Sequence, residues 1–236
     1  MAIIEVRAVN KGYGKHQVLR DVSFSIEEPG IVALVGPNGS GKSTLMNLMM
    51  NLLDLDAGEI KLLGKSNKDV SIFKEVAFLK DNTILYPYLT GWDHLSYAAR
   101  TYGLSKERVW EVSHQLGIEG YVKQKTGRYS LGMKQHLLLA LAILNEPSIL
   151  VLDEPLNGLD PTSILKTRQL IRELGASGKT VLMSSHTLSE VDAVTSHILF
   201  LKDGMIREER LDVAELSLRK TAEQRYLELY RDEVQP

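Results

Sequence analysis

The segment Gly36-Pro37-Asn38-Gly39-Ser40-Gly41-Lys42-Ser43 constrains this chain more than any other, because it fits G-x-x-x-x-G-K-[ST] at every specified position. An apolar run, Ile31 to Val35, leads into it, and Leu45, Leu48, Met49 and Leu52 follow at helical spacing. A strand, a glycine-rich turn and a helix start are thereby placed in series. Glycines let consecutive backbone N–H groups turn inward around an anion, and a helix N-terminus adds its partial positive charge at the same point. The segment therefore reads as a phosphate cradle. Lys42 is expected to reach the β- and γ-phosphates of ATP, Ser43 to place its hydroxyl on Mg²⁺, and Thr44 to contact the α-phosphate side. Gly36, Asn38, Gly39, Ser40 and Gly41 complete the expected contact set.

The flanking sequence supplies an α/β context. Ile3 to Val9 and Val18 to Ile26 read as strands broken by turn residues, a short strand pair is expected around Glu59 to Leu63, and another strand at Val76 to Leu79. Gly91 to Leu116 changes to helical character, bounded by Gly103 and Gly117, with Ser105 as an N-cap. Beyond it, Ile149 to Leu152 and Thr180 to Met183 are short apolar strands of the kind buried inside a parallel sheet. Ile164 to Leu174 and Leu188 to Val194 read as crossover helices, and His197 to Arg207 as a hairpin turned at Asp203-Gly204. The expected architecture is an α/β fold: a P-loop core with a mainly parallel sheet, an antiparallel β subdomain at the N-terminus, and a helical subdomain inserted at about 82–145. Residues 1–210 are expected to form one ATPase domain and 211–236 a helical tail.

Composition narrows the function classes. With 236 residues, 44% hydrophobic and 25% charged, the chain reads as an ordinary globular domain rather than a disordered or fibrous one. A net charge of −2 gives no electrostatic footprint for nucleic acid. The absence of cysteine excludes disulfides, thiolate metal sites and thiol catalysis. The start, MAIIEVRAVN, lacks the charged-then-apolar pattern of a signal peptide. The longest apolar run, within His136 to Leu144, falls far short of the roughly 20 residues that cross a bilayer. Work at a membrane is thus expected to go through a partner.

A second chemical feature is the apolar run from Ser148 that ends in Asp153-Glu154-Pro155. Ligand chemistry in open α/β sheets gathers at the carboxyl ends of strands. Asp153 is placed to hold Mg²⁺, largely through water, and Glu154 to act as general base toward an attacking water. Alone, the pair reads equally as a polar strand end meeting solvent; the upstream phosphate loop favours the chemical reading.

Taken together, the chain resembles an ATP-binding-cassette (ABC) ATPase, the nucleotide-binding subunit of an ABC transporter. The resemblance covers about Ile3 to Arg207. It implies that Tyr13 stacks on adenine, although by itself Tyr13 is a turn tyrosine. Ser130-Leu131-Gly132-Met133-Lys134-Gln135 resembles the family signature, and Ser130 can cap a helix whose N-terminus points at a γ-phosphate. Asn157-Gly158-Leu159-Asp160 resembles the loop that crosses the dimer interface, and His186 the switch histidine on the γ-phosphate. Without that resemblance these are an ordinary capped helix, a surface turn and a loop histidine. The family pairs two such chains head to tail, so that the loop of one faces the signature of the other. One loop and one signature here imply half of each site, a second ABC ATPase subunit (homodimer or heterodimer), and a separate integral membrane permease at the cytoplasmic face of the cell membrane.

Two departures from the family pattern carry information. The common signature LSGGQ reads Tyr129-Ser130-Leu131-Gly132-Met133, retaining Ser130 and Gly132. This form resembles bacterial exporters, including antibiotic- and bacteriocin-resistance types, where His136 usually gives way to arginine. The usual glutamine after the Val76 to Leu79 strand falls on Asp81, which is expected still to bind Mg²⁺. Two rival readings remain at this level: a soluble ABC ATPase with no membrane partner, and a weakly catalytic regulatory subunit of a heterodimer.

Overall fold

Alternation within the strands at the centre of the chain builds a sheet that is buried on both faces. In the computed structural model, which describes residues 1–80, 82–210 and 225–226, strand β3 (Gly30–Val35) turns Val32 and Leu34 to one apolar cluster and Ala33 and Val35 to another. Strand β7 (Ile149–Leu152) divides in the same way, with Ile149 and Val151 on one face and Leu150 and Leu152 on the other. Period-two side-chain alternation makes every residue of such a strand apolar when both faces are covered.

The larger sheet has six strands in the order β10-β9-β3-β8-β7-β6. Its members besides β3 and β7 are β6 (Val76–Leu79), β8 (Thr180–Ser185), β9 (His197–Lys202) and β10 (Met205–Arg210). All neighbours are parallel except the β9–β10 hairpin. Asp203 and Gly204, both at positive φ (51° and 77°), make its turn, as the sequence indicates. A smaller antiparallel sheet, β2-β1-β4-β5, is formed by β1 (Ile4–Tyr13), β2 (His16–Ile26), β4 (Ala57–Leu62) and β5 (Lys65–Ser66).

Helix α1 (Lys42–Met49) packs in the core shared by the two sheets, burying Leu45, Met46, Leu48 and Met49. Each of these side chains contributes about 1.5–3 kcal/mol by leaving water, which anchors the turn in front of it. The helix ends sooner than the spacing of Leu52 suggests: Met50 is the C-cap, Asn51 takes φ 53°, and Leu52 is exposed. The periodicity ran one turn past the point where the core stops.

Helices α2 (Gly91–Thr101), α3 (Lys106–Gln115) and α4 (Leu131–Ile143) lie between β6 and β7 in sequence, and α5 (Pro161–Ala176) and α6 (Leu188–Asp192) flank β8. Helix α4 is buried along most of its length and joins the second face of the large sheet. Ser105 sits at the N-cap of α3 without a side-chain cap bond. The full capping box belongs instead to Thr90 and Asp93 at α2, a T-x-x-D pattern that the sequence carried. Asp81 and, apart from 225–226, the tail read as helical over 211–236 lie outside the described residues.

Candidate functional site

Strand order brings the chemistry together. The turn after β3, the Asp153-Glu154 end of β7 and the Ser184–His186 end of β8 all open at the carboxyl edge of one sheet, with β8 pairing to both of the others. They surround a groove of about 560 Å³, lined by His16, Val18, Asn38, Gly39, Lys42 and Glu154 and also by Gly41, Ser43, Thr44, Asn157 and His186.

The turn is built to leave amide groups free. Gly41 is the N-cap of α1 at φ 107°, with no side-chain cap bond and no acidic residue in the first turn. An added Cβ there would lie 2.9 Å from Val18 Cγ1 and in strained backbone. Gly36 approaches β9 so closely that a Cβ would stand 2.6 Å from the Leu201 carbonyl oxygen. Lys42 is buried, and its Nζ donates to the carbonyl oxygens of Gly36 at 2.8 Å and Pro37 at 3.1 Å. Burial pulls its pKa below the ordinary lysine range, opposed by the charges of Glu154 and Asp153. The Ser40 hydroxyl is buried with no hydrogen-bond partner among the described residues. A buried cation and an uncapped helix start at one groove fit a polyphosphate.

The acidic side is held by one hydroxyl. Ser184 Oγ donates to Asp153 Oδ1 at 2.6 Å and accepts the Glu154 N–H at 2.8 Å. Glu154 adopts φ 50°, a left-handed conformation that a non-glycine residue keeps only when its surroundings impose it. Its Oε2 accepts from His186 Nδ1 at 2.8 Å, and its Oε1 stands 4.0 Å from Lys42 Nζ. The acceptor is a carboxylate, so Nδ1 carries the proton. The backbone N–H of Asp153 donates to the Leu79 carbonyl at 2.9 Å, so β6 ends beside it.

Among the described residues, no group of three or more His, Asp or Glu side chains could hold a metal by itself. Ser43 in the groove and Asp153 beside it fit Mg²⁺, an ion that commonly takes one or two protein ligands and completes its shell with phosphate and water.

The remaining candidates lie elsewhere. Ser130 is the N-cap of α4, its Oγ accepting the Met133 N–H at 3.2 Å. Gly132 packs toward Leu159, and Gly158 toward Leu131, so the start of α4 and the Asn157–Asp160 loop form one surface. Asp160 caps α5, accepting from the N–H groups of Thr162 and Ser163 and from the Ser163 hydroxyl. Those bonds, the Ser163 hydroxyl foremost, hold its carboxyl below the usual range. Ser130, Gly132 and Asp160 are not part of the groove wall. Tyr13 is half-exposed at the β1–β2 turn with the Lys11 ammonium 5.6 Å above its ring, while His16 and Val18 line the groove beside the phosphate loop. His16, Val18 and Ser184 were missed by sequence reasoning; for Ser184 the signal is a hydroxyl pair closing an otherwise apolar parallel strand.

Comparisons with known proteins agree with this geometry. The family described as ABC transporter matches residues 19–157. The ABC transporter ATP-binding protein YdbJ of Bacillus subtilis is 35% identical over 93% of this chain and 70% of its own length. The lantibiotic transport ATP-binding protein SrtF of Streptococcus pyogenes is 33% identical over 86% and 89%. Among solved structures, an ATP-binding subunit of an ABC transporter superposes with a TM-score of 0.85 at 30% identity, covering 96% of this chain and 99% of that one. A dimeric ATP-binding cassette in a post-hydrolysis state, bound to ADP and Pi, gives 0.80 at 27%, covering 89% and 99%. The uncapped phosphate turn, the carboxylate beside its lysine and these likenesses lead to one conclusion: the chain belongs to the ABC transporter family, as one of its ATP-binding ATPase cassettes.

Proposed function

We propose that this chain hydrolyses ATP at the groove beside Lys42 and uses the cycle to drive a separate membrane permease, in the direction of export. The observation that carries the hydrolytic part is Glu154, a carboxylate 4.0 Å from Lys42 Nζ and 2.8 Å from His186 Nδ1 on a backbone held in a left-handed conformation. The loop N–H groups and Lys42 bind the phosphates and stabilise the charge that develops on them. Glu154 takes a proton from the attacking water, and His186 holds that carboxylate while presenting its ring to the γ-phosphate. Ser43 and Asp153, with Asp81 as a further expected ligand, would hold Mg²⁺, which would neutralise phosphate charge.

In this reading the second wall of the site comes from another cassette. Ser130 and Gly132 of one chain face the phosphates held by the other, Tyr13 stacks on adenine, and Asp160 lies at the crossing loop. The dimeric state of the ADP-bound neighbour supports it, as does a groove whose wall does not include this chain's own Ser130. Residues 1–210, with about 82–145 inserted, form the cassette. The name of SrtF, a lantibiotic transport protein, supports the transport role, and the YSLGM signature supports export from the cytoplasmic face.

Glu154→Gln tests the core of the proposal. Turnover falls by about a hundredfold or more, in line with loss of a general base, while ATP binding persists and ATP-dependent dimers accumulate on size exclusion. Wild-type turnover in this variant would remove Glu154 from the role. Co-purification with a multi-span membrane protein checks the permease.

A further inference from the structure

Helix α4 contains a buried polar side chain that the scheme above does not use. Gln135 is 7% exposed, among the leucines of the α4 core, and its Nε2 donates to the Pro155 carbonyl oxygen at 2.9 Å. Pro155 immediately follows Glu154 and has no N–H, so its carbonyl is the one backbone group through which this residue can be hydrogen-bonded. The Glu154 backbone needs such restraint, because its φ of 50° is unfavourable for a side chain with a Cβ. Two other hydrogen bonds restrain it: Ser184 Oγ accepts its N–H at 2.8 Å, and the Asn157 N–H donates to its carbonyl at 3.1 Å. Ser184 comes from β8 and Asn157 from the loop itself. Gln135 brings the third restraint from a different element, the helix whose N-cap is Ser130.

We infer that Gln135 is a positioning residue for Glu154, and that α4 thereby acts as a strut between the Ser130 end and the hydrolytic carboxylate. The peptide after Glu154 fixes the direction in which its Cα–Cβ bond leaves the backbone. The Pro155 carbonyl lies in the next peptide, between Pro155 and Leu156; its release loosens the turn that follows Glu154 and lets the carboxylate leave the line between Lys42 and His186. The strut also connects two sites. Ser130, facing the ATP of a partner cassette, and Glu154, serving the ATP of its own chain, sit at opposite ends of the same short stretch of helix and one buried hydrogen bond. The inference rests on the reading of Glu154 as general base.

Two full-length variants test it, beside Glu154→Gln as reference. Gln135→Met keeps the length and apolar stem and removes the donor. Its kcat falls by about tenfold, the size expected when a buried carbonyl loses its partner, while KM for ATP and the affinity for a fluorescent ATP analogue stay within about twofold of wild type by the same scale. A merely structural role moves the melting temperature and leaves kcat per folded site unchanged, and that result overturns the inference. A Met variant that loses ATP affinity together with kcat also overturns it. Gln135→Glu adds a pH readout, and carries the test alone where the Met variant does not fold. Its carboxylate cannot donate to Pro155, whereas the protonated acid can, and burial favours that form. The ratio of its kcat to wild type rises between about pH 8 and about pH 6. A flat ratio overturns the inference. Failure is separable from failure of the base assignment: a dead Glu154→Gln beside a fully active Gln135→Met removes the strut alone, and an active Glu154→Gln removes the base.

Discussion

Helices α1 and α4 both begin beside a glycine, Gly41 and Gly132, yet their first turns are finished in opposite ways. Helix α1 starts at Gly41 with no side-chain cap, leaving its N–H groups and the Lys42 ammonium to an anion. Helix α4 starts at Ser130, whose hydroxyl already accepts the Met133 N–H. A serine hydroxyl has two lone pairs and one proton. With one lone pair engaged in the cap, the O–H remains as a donor. The first helix start therefore leaves open N–H groups beside a cation within one chain, and the second is a stable, capped surface with one donor to spare. On the proposed function, this difference accounts for a single cassette that binds ATP and a partner that closes around it.

Three substitutions break or sharpen this contrast, beginning with the largest effect. Lys42→Ala removes the cation from the open helix start and strands the Gly36 and Pro37 carbonyls it holds. ATP affinity falls by about a hundredfold, the upper range for a charged hydrogen bond, measured by titration with a fluorescent ATP analogue. At α4 the two jobs of Ser130 are separable. Ser130→Ala loses cap and donor together, costing about 1 kcal/mol of stability and weakening ATP-dependent dimerisation. Ser130→Asp keeps a good cap and puts a negative charge where the partner's phosphates lie. Its melting temperature matches wild type, while ATP-dependent dimers on size exclusion are lost. Equal dimerisation by both variants would place Ser130 outside the interface.

The smallest effect belongs to α5, whose cap Asp160 is engaged by Thr162 and Ser163. Its carboxyl is held below the usual range in the folded chain, first by the Ser163 hydroxyl. A depressed carboxylate pKa stabilises the fold above the unfolded value of about 4 and loses that contribution as pH falls through the lowered folded value. Asp160→Ala therefore lowers the melting temperature slightly at neutral pH. The gap to wild type closes in acid, as thermal denaturation at several pH values reads directly.

How much could be read in advance differs by region. The phosphate turn was legible because its chemistry depends on contiguous residues: a motif, a strand before it and a helix after it. The strands at Val76 to Leu79 and Ile149 to Leu152 were legible because a two-faced sheet demands unbroken apolar runs. The end of α1 was not, since Leu52 keeps the helical spacing after the core has ended. The wall of the groove contributed by His16 and Val18 was not legible either, because those residues belong to a different sheet.

The sequence by itself determined that this chain is an α/β nucleotide-binding protein and marked Lys42, Asp153 and Glu154 as its candidate chemical residues. Those conclusions rest on local order along the chain, where spacing reports conformation. Only the tertiary structure decided how the parts meet. It places Ser184 under both acids, His186 against Glu154 and Gln135 against Pro155. These partners are separated by 30 or more residues in the first three cases and 20 in the last. Strand order in the sheet and the packing of α4 bring them together, and neither leaves a local periodic trace in the sequence.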